Sequence, residues 1–270
     1  IPVAGSLRAR GEQAGQGAAL RDLQDWQQAV ADSPWQLVSS ELEQWAEHHE
    51  TPAAWLNTLR ALGVTARRGV SDTDVGKTTT AVALLSAAAA MGYTTLGLKP
   101  IAAGCEHTPD GWRNADALAL MAASTVPKLI YEEVNPVALP EACSPHIAAR
   151  LANRRITVVQ LTGYVRGSRS RRAELTLVEG AGGWRVPVND RELLSGLAKE
   201  LNLPVILVVG LRLGCLNSAI LSAEAILRDG LKLAGWVGNH LTEDWAHGDD
   251  NIATLHSLLP APCLGIVPWR

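Results

Sequence analysis

The sequence predicts an α/β fold, a mostly parallel sheet with helices on both faces, preceded by a small helical N-terminal extension. Three observations carry this. A glycine-lysine-threonine loop opens a long apolar helix near residue 77. Five short apolar runs follow it, separated by helical stretches. Glycine or polar residues stand just past the carboxyl end of most of those runs, where open parallel sheets bind ligands.

The loop reads Asp72-Thr73-Asp74-Val75-Gly76-Lys77-Thr78-Thr79 and enters the apolar stretch 81–91 directly. A bound triphosphate needs backbone N–H groups at a helix start, a glycine that permits close approach, a lysine for the outer phosphates and a hydroxyl for Mg²⁺. Gly76, Lys77 and Thr78 meet the last three needs, with Asp74, Val75 and Thr79 beside them. Three such residues alone occur by chance, but the acidic lead-in and the Ala/Leu helix behind them favour the phosphate reading. The fold is therefore P-loop NTPase-like, with a nucleotide as its ligand.

The segment ahead of the loop fits less well. An early glycine and an apolar strand are expected, and Arg67-Arg68-Gly69-Val70-Ser71 reads as a poor buried strand. Either Gly69 serves as the early glycine at an altered loop length, or Val70 or Ser71 stands in its place and the loop is compromised.

Residues 1–62 form the extension. The first seventeen, rich in Gly and Ala, read as a loose end. Apolar residues at helical spacing (Leu20, Leu23, Trp26, Ala29, Val30; then Leu42, Trp45, Trp55, Leu59) predict short amphipathic helices after them. No recognisable chemistry lies there, and the main domain is expected over 63–270.

Composition bounds the function. The chain has 270 residues, 47% hydrophobic and 19% charged, with a net charge of −3, enough for one sizeable α/β domain and without a general basic face for nucleic acid. The run Arg166, Arg169, Arg171, Arg172 reads as a solvated helix face. Cys105, Cys143, Cys215 and Cys263 are scattered, which excludes a C-x-x-C zinc site or a disulfide scaffold and fits a reducing cytoplasm. No apolar run of about eighteen residues suggests a membrane span, and no secretory leader is recognisable. Nine tryptophans and no phenylalanine make an odd balance with no functional reading.

Strands are predicted at 94–98, 175–178, 204–209, 233–237 and 263–267. Beyond them come Lys99-Pro100, Glu179-Gly180-Ala181-Gly182-Gly183, Gly210, Asn239 and Pro268, which would share one sheet edge with the phosphate loop. A lone lysine at a strand end is often only solvated. A second lysine facing one phosphate edge serves a different need, since an anionic phosphoryl acceptor and the γ-phosphate must be neutralised together. Thr78, Asp116 and Glu179 are the candidate Mg²⁺ ligands. Asp116 opens a helical stretch and could merely complement its dipole, whereas a buried Glu179 without a cation would be costly.

The motifs Asp72 to Thr78, Lys99-Pro100-Ile101-Ala102-Ala103-Gly104, Arg113-Asn114-Ala115-Asp116-Ala117-Leu118, Ser144-Pro145-His146, Val178-Glu179-Gly180-Ala181-Gly182-Gly183-Trp184, Arg212-Leu213-Gly214-Cys215-Leu216-Asn217 and Gly235-Trp236-Val237-Gly238-Asn239 occur in that order. From about residue 72 onward the chain resembles the dethiobiotin synthetase family.

The resemblance implies a cytoplasmic, homodimeric cyclo-ligase of biotin synthesis. It would convert 7,8-diaminopelargonate, CO₂ or bicarbonate, and ATP to dethiobiotin, ADP and phosphate. Lys77 would bind phosphates, and Lys99 the carbamate and the migrating phosphoryl group. Thr78, Asp116 and Glu179 would hold Mg²⁺, and the loop Glu179, Gly180, Ala181, Gly182 would lie by the nucleotide. Asn239, His240, Pro268, Trp269 and Arg270 would border the adenine. Leu213, Gly214, Cys215, Leu216 and Asn217 would reach the partner's substrate carboxylate through a helix N-terminus. Ala103 stands where the family usually has a substrate-contacting serine, and His146 reads as part of a helix start and not as a base. The stretch 55–63 is faintly similar to the tail of the carrier-protein methyltransferase of the same pathway.

Two other readings remain at this level. One is a partner-switching P-loop ATPase, although its usual extra lysine early in the loop is missing from residues 71–75. The other is an inactive relative of the synthetases.

Overall fold

The computed structural model describes residues 66–69 and 75–269. The predicted N-terminal helices, the resemblance at 55–63, Asp74 and Arg270 lie outside the described residues. In chain order the strands are β1 (Ala66–Gly69), β2 (Thr95–Leu98), β3 (Ile101–Ala102), β4 (Glu106–Thr108), β5 (Gly111–Arg113), β6 (Val137–Ala138), β7 (Leu175–Val178), β8 (Val205–Leu211), β9 (Leu233–His240) and β10 (Cys263–Val267). The helices are α1 (Lys77–Ala90), α2 (Ala115–Ala122), α3 (Tyr131–Val134), α4 (Pro145–Leu151), α5 (Val158–Arg169), α6 (Ser195–Leu201), α7 (Cys215–Arg228) and α8 (Gly248–Leu258).

Six strands form one sheet in the order β10-β9-β8-β1-β7-β2, and every pairing in it is parallel. The chain leaves β1, builds β2 and β7 on one side, then crosses to β8, β9 and β10 on the other. That reversal makes the carboxyl end of β1 the switch point, where parallel strands leave room for a ligand.

The residues of β1 were expected to make a poor buried strand. Instead the segment pairs with both neighbours, Arg67 opposite Leu177 and Gly69 opposite Ile206. Main-chain hydrogen bonding on two sides accounts for this, because a ladder needs N–H and C=O groups whatever side chains accompany them.

Helices cover both faces, as predicted. On one face Leu85 and Ala88 of α1 pack with Leu120 of α2 over Leu175, Leu177 and Ile206. On the other, α4 to α6 cover Leu96, Leu98 and Val178, while α7 and α8 cover Val205, Leu207, Val209 and Trp236. The approach of α1 and α2 to the sheet depends on Gly97. A Cβ there would lie 2.8 Å from Leu85 Cδ1 and 2.9 Å from Leu120 Cβ, so only glycine fits.

The runs at 175–178 and 263–267 coincide with β7 and β10. Two others continue further than predicted, because Gly210 pairs with Asn239 and Leu211 with His240, and this lengthens both strands into the ligand edge. The pairs β3–β6 and β4–β5 had no signal in the sequence, being too short to show a period. The arginine run also departs from expectation. α5 ends at Arg169, and Arg171 is clamped by Glu133 through its Nε and Nη2 atoms. Among the described residues no helix is long and apolar enough to cross a membrane. All four cysteines are free thiols.

Candidate active site

The phosphate loop enters α1 at Gly76, whose φ of 84° is the left-handed conformation glycine tolerates best. A Cβ on it would fall 2.3 Å from Asn239 Nδ2. That amide donates to the Val75 carbonyl at 3.2 Å, tying the loop to the end of β9. Val75 and Lys77 are buried, and the first turn of α1 contains no acidic side chain, which leaves the positive end of its dipole for an anion.

Lys99 and Glu179 follow directly from β2 and β7, held side by side by the Glu179 N–H donating to the Leu98 carbonyl at 2.7 Å. The Lys99 ammonium donates to Glu179 Oε1 at 2.7 Å and lies 2.6 Å from Asp116 Oδ2. The Thr78 hydroxyl donates to the same Glu179 oxygen at 2.9 Å and also interacts with Asp116. Four of the sequence-predicted residues, on four elements, therefore meet at one point.

Charge is concentrated where water is scarce. The side chains of Lys99 and Glu179 are 6% and 2% exposed, while Asp116 is 44% exposed, so the cluster opens to solvent on the Asp116 side. Burial alone would lower the Lys99 pKa, but Glu179 and Asp116 outweigh it and hold the ammonium above the ordinary lysine value. Burial likewise works to raise Asp116, and Lys99 reverses it to a value below the usual carboxylate range.

The residues fit a hard cation. Glu179 Oε2 is buried with no hydrogen-bond partner among the described residues, an arrangement costly enough to imply a ligand. Thr78, Asp116 and Glu179 offer oxygen donors only, as Mg²⁺ prefers. No group of three His, Cys, Asp or Glu residues forms a metal cluster among the described residues, so phosphate oxygens and water would complete the shell.

Asp116 is aimed by Asn114, whose side-chain oxygen accepts from Ala117 N at 3.2 Å and caps α2. Sequence reasoning assigned no role to Asn114, Tyr131 or Asn135, although an Asn just before Ala115-Asp116 is a cap signal. Tyr131 and Asn135 gave no signal beyond being four apart, the spacing of neighbours on one helix face. His146 falls where expected, beside Pro145 at the start of α4, with Nδ1 2.9 Å from the Ser144 hydroxyl.

Several of the remaining predicted residues follow strands of the same sheet. Gly180, Ala181 and Gly182 continue from Glu179, with Gly182 at φ 64° and Ala181 against the apolar core. Val267 pairs with Asn239, so Pro268 follows beside His240, and Trp269 is partly exposed. Burial lowers the His240 pKa against the opposing pull of Asp249. Ala103 packs on the core just past β3. At the α7 start, Leu213 is 89% exposed, Gly214 is the cap at φ 92°, Leu216 packs inward and Asn217 is exposed. The Cys215 side chain is buried and its N–H already donates to Arg212 O at 3.0 Å.

A family model described as an AAA domain matches residues 70–270. The chain is 57% identical over 198 residues to the ATP-dependent dethiobiotin synthetase BioD of Cellvibrio japonicus, covering 73% of this chain and 86% of that protein. It is 56% identical over 206 residues to the protein of that name from Chromohalobacter salexigens, covering 73% and 86%. With the one from Marinobacter nauticus it shares 54% over 200 residues, covering 74% and 85%.

Proposed function

This chain belongs to the ATP-dependent dethiobiotin synthetase family, and from that premise we propose how its residues divide the work of the reaction. The enzyme is a cyclo-ligase that uses ATP to close the ring of dethiobiotin in biotin biosynthesis. Its organic substrate is 7,8-diaminopelargonate. One amine takes up CO₂ as a carbamate, a carbamate oxygen receives the γ-phosphoryl group and ADP leaves, and the second amine attacks the carbonyl carbon to expel phosphate.

Main-chain N–H groups at the start of α1 and the Lys77 ammonium bind the ATP phosphates. Lys99 neutralises the carbamate and the migrating phosphoryl group together, offsetting the repulsion of the two anions as they meet. Thr78, Asp116 and Glu179 would hold Mg²⁺, which when bound spreads the charge of the phosphate oxygens. Asn239, His240, Pro268 and Trp269 border the base, and Ala103 lines the substrate side.

The observation that carries this reading is the position of Lys99, buried against Glu179 and Asp116 beside the phosphate loop. A partner-switching ATPase would carry its extra lysine within the phosphate loop, whereas Lys99 stands at the end of β2, where it can neutralise an anionic phosphoryl acceptor.

A homodimer completing the diamine site through residues 213–217 is part of the proposal, supported by an 89% exposed Leu213 at the α7 start. A cytoplasmic location is also proposed, supported by the four free thiols.

The test is ADP release by the purified chain with Mg-ATP and bicarbonate, with and without 7,8-diaminopelargonate, followed by product analysis. Diamine-dependent ADP release with an equal yield of dethiobiotin is expected. ATP hydrolysis indifferent to the diamine in a folded sample would overturn the reading.

A further inference from the structure

The Lys99–Asp116 contact is spanned from behind by a second, buried connection. The Tyr131 hydroxyl accepts from the Asn114 N–H at 2.7 Å and donates to Asn135 Oδ1 at 2.9 Å. Asn135 Nδ2 in turn donates to the Lys99 carbonyl at 2.6 Å, and the Lys99 N–H donates to the Val134 carbonyl at 2.9 Å. Main chain on either side of the site is thus joined through one hydroxyl and one amide. Tyr131 and Asn135 are 6% and 2% exposed, so water cannot readily replace either.

A tyrosine hydroxyl has one proton. With that proton committed to Asn135, the oxygen is oriented to accept from Asn114, and the two ends of the connection depend on each other. Asn114 also caps the helix that carries Asp116. The Arg113 guanidinium lies 4.2 Å from the Tyr131 ring centroid, which holds the ring over the same turn. Among the described residues, the side-chain hydrogen bonds of Tyr131 and Asn135 go to the Asn114 N–H, to each other and to the Lys99 and Val137 carbonyls, not to the Lys99 ammonium or the Asp116 carboxylate.

We infer that Tyr131 and Asn135 are positioning residues, which set the separation between the Lys99 main chain and the α2 N-terminus and thereby the placement of Lys99 and Asp116 on the phosphoryl group. This rests on the roles proposed above for those two residues. Displacing a reacting group by about 1 Å can cost two orders of magnitude in rate, so a connection of three hydrogen bonds is enough to matter.

The test is Tyr131→Phe, which keeps the ring, its burial and the Arg113 contact while removing only the hydroxyl. Two quantities are compared with wild type: steady-state kcat and KM, and the affinity for Mn²⁺ in the presence of ADP by electron paramagnetic resonance. A kcat reduced roughly tenfold or more, a KM for ATP within about twofold, and a weakened or spectrally altered Mn²⁺ site are expected. Asn135→Ser, which shortens the link to Lys99 at the other end, should give the same pattern and replaces Tyr131→Phe if that variant does not fold.

Normal Mn²⁺ binding and normal kcat in a variant with a lowered Tm would make the hydroxyl merely structural and overturn the inference. If wild type itself makes no dethiobiotin while the variant still disturbs Mn²⁺, the reaction assignment fails and the positioning role stands.

Discussion

The Lys99 ammonium lies 2.7 Å from Glu179 Oε1, shielded from water, while the second oxygen of that carboxylate has no hydrogen-bond partner among the described residues. The lysine thus compensates half of a buried anion and leaves the other half for a ligand. Lys99→Ala should reduce turnover by roughly two to three orders of magnitude, because nothing then offsets the repulsion between the carbamate and the γ-phosphate as they meet. ATP should still bind, as titration calorimetry would show. Near-normal turnover would sink the role assigned to Lys99.

Glu179→Gln keeps the shape of the side chain and removes its charge. The Mg²⁺ concentration for half-maximal activity should rise roughly 10- to 100-fold, the range seen when a group serving a metal site is altered. An unchanged Mg²⁺ requirement, read from ADP release across a magnesium titration, would exclude Glu179 as a ligand.

Gly76→Ala meets two obstacles. The left-handed backbone costs about 1–2 kcal/mol for a residue with a Cβ, and that Cβ would press on Asn239 Nδ2 from 2.3 Å. ATP affinity should fall at least tenfold. Asn239→Ala alone breaks the tie to Val75, and the double variant should lose less than the sum of the two because the clash has then gone. Full additivity in nucleotide binding would contradict the contact.

The pair Glu133–Arg171 predicts a pH dependence of stability. Hydrogen bonds from Arg171 hold the Glu133 carboxyl below its ordinary range of about 4.5, so folding favours the ionised form. A depressed carboxylate stabilises the fold above its unfolded-state pKa, and the contribution disappears as pH falls through the lower folded-state value. Glu133→Gln should therefore cost about 1–2 kcal/mol at pH 7, and the gap to wild type should close in the acid range below that of a free glutamate. Thermal unfolding of both proteins from pH 7 down to the acid limit checks this. A gap that stays constant would remove the ionised carboxylate as its cause.

Lys77→Ala should differ from Lys99→Ala by weakening nucleotide binding itself, by roughly tenfold or more. Equal ATP affinity in the two variants would contradict the division of labour between the lysines.

Much of this arrangement was legible before the structure, since the chemistry of Gly76, Lys77, Thr78, Lys99, Asp116 and Glu179 is expressed in residue type and in position after apolar runs. The parallel sheet followed from the same runs. The central strand was harder to read, because β1 is joined to β7 and β8 by main-chain bonds and Arg67 and Arg68 disguise it. Tyr131 and Asn135 were missed for a related reason. They act through the Asn114 N–H and the Lys99 carbonyl, and no sequence pattern shows which main-chain atom a side chain will reach.

The central place of β1 also dictates when this enzyme becomes an enzyme. Ala66 pairs with Thr176, and Arg68 with Val205, so the strand leading to the phosphate loop emerges before the other described strands and waits for about a hundred residues before its neighbours exist. Until β7 and then β8 arrive, both of its edges are open to mispairing, and the closing of these long loops sets the pace of assembly. A chain interrupted between the phosphate loop and residue 205 would therefore carry the whole Gly-Lys-Thr signature and lack the scaffold that makes it a binding site.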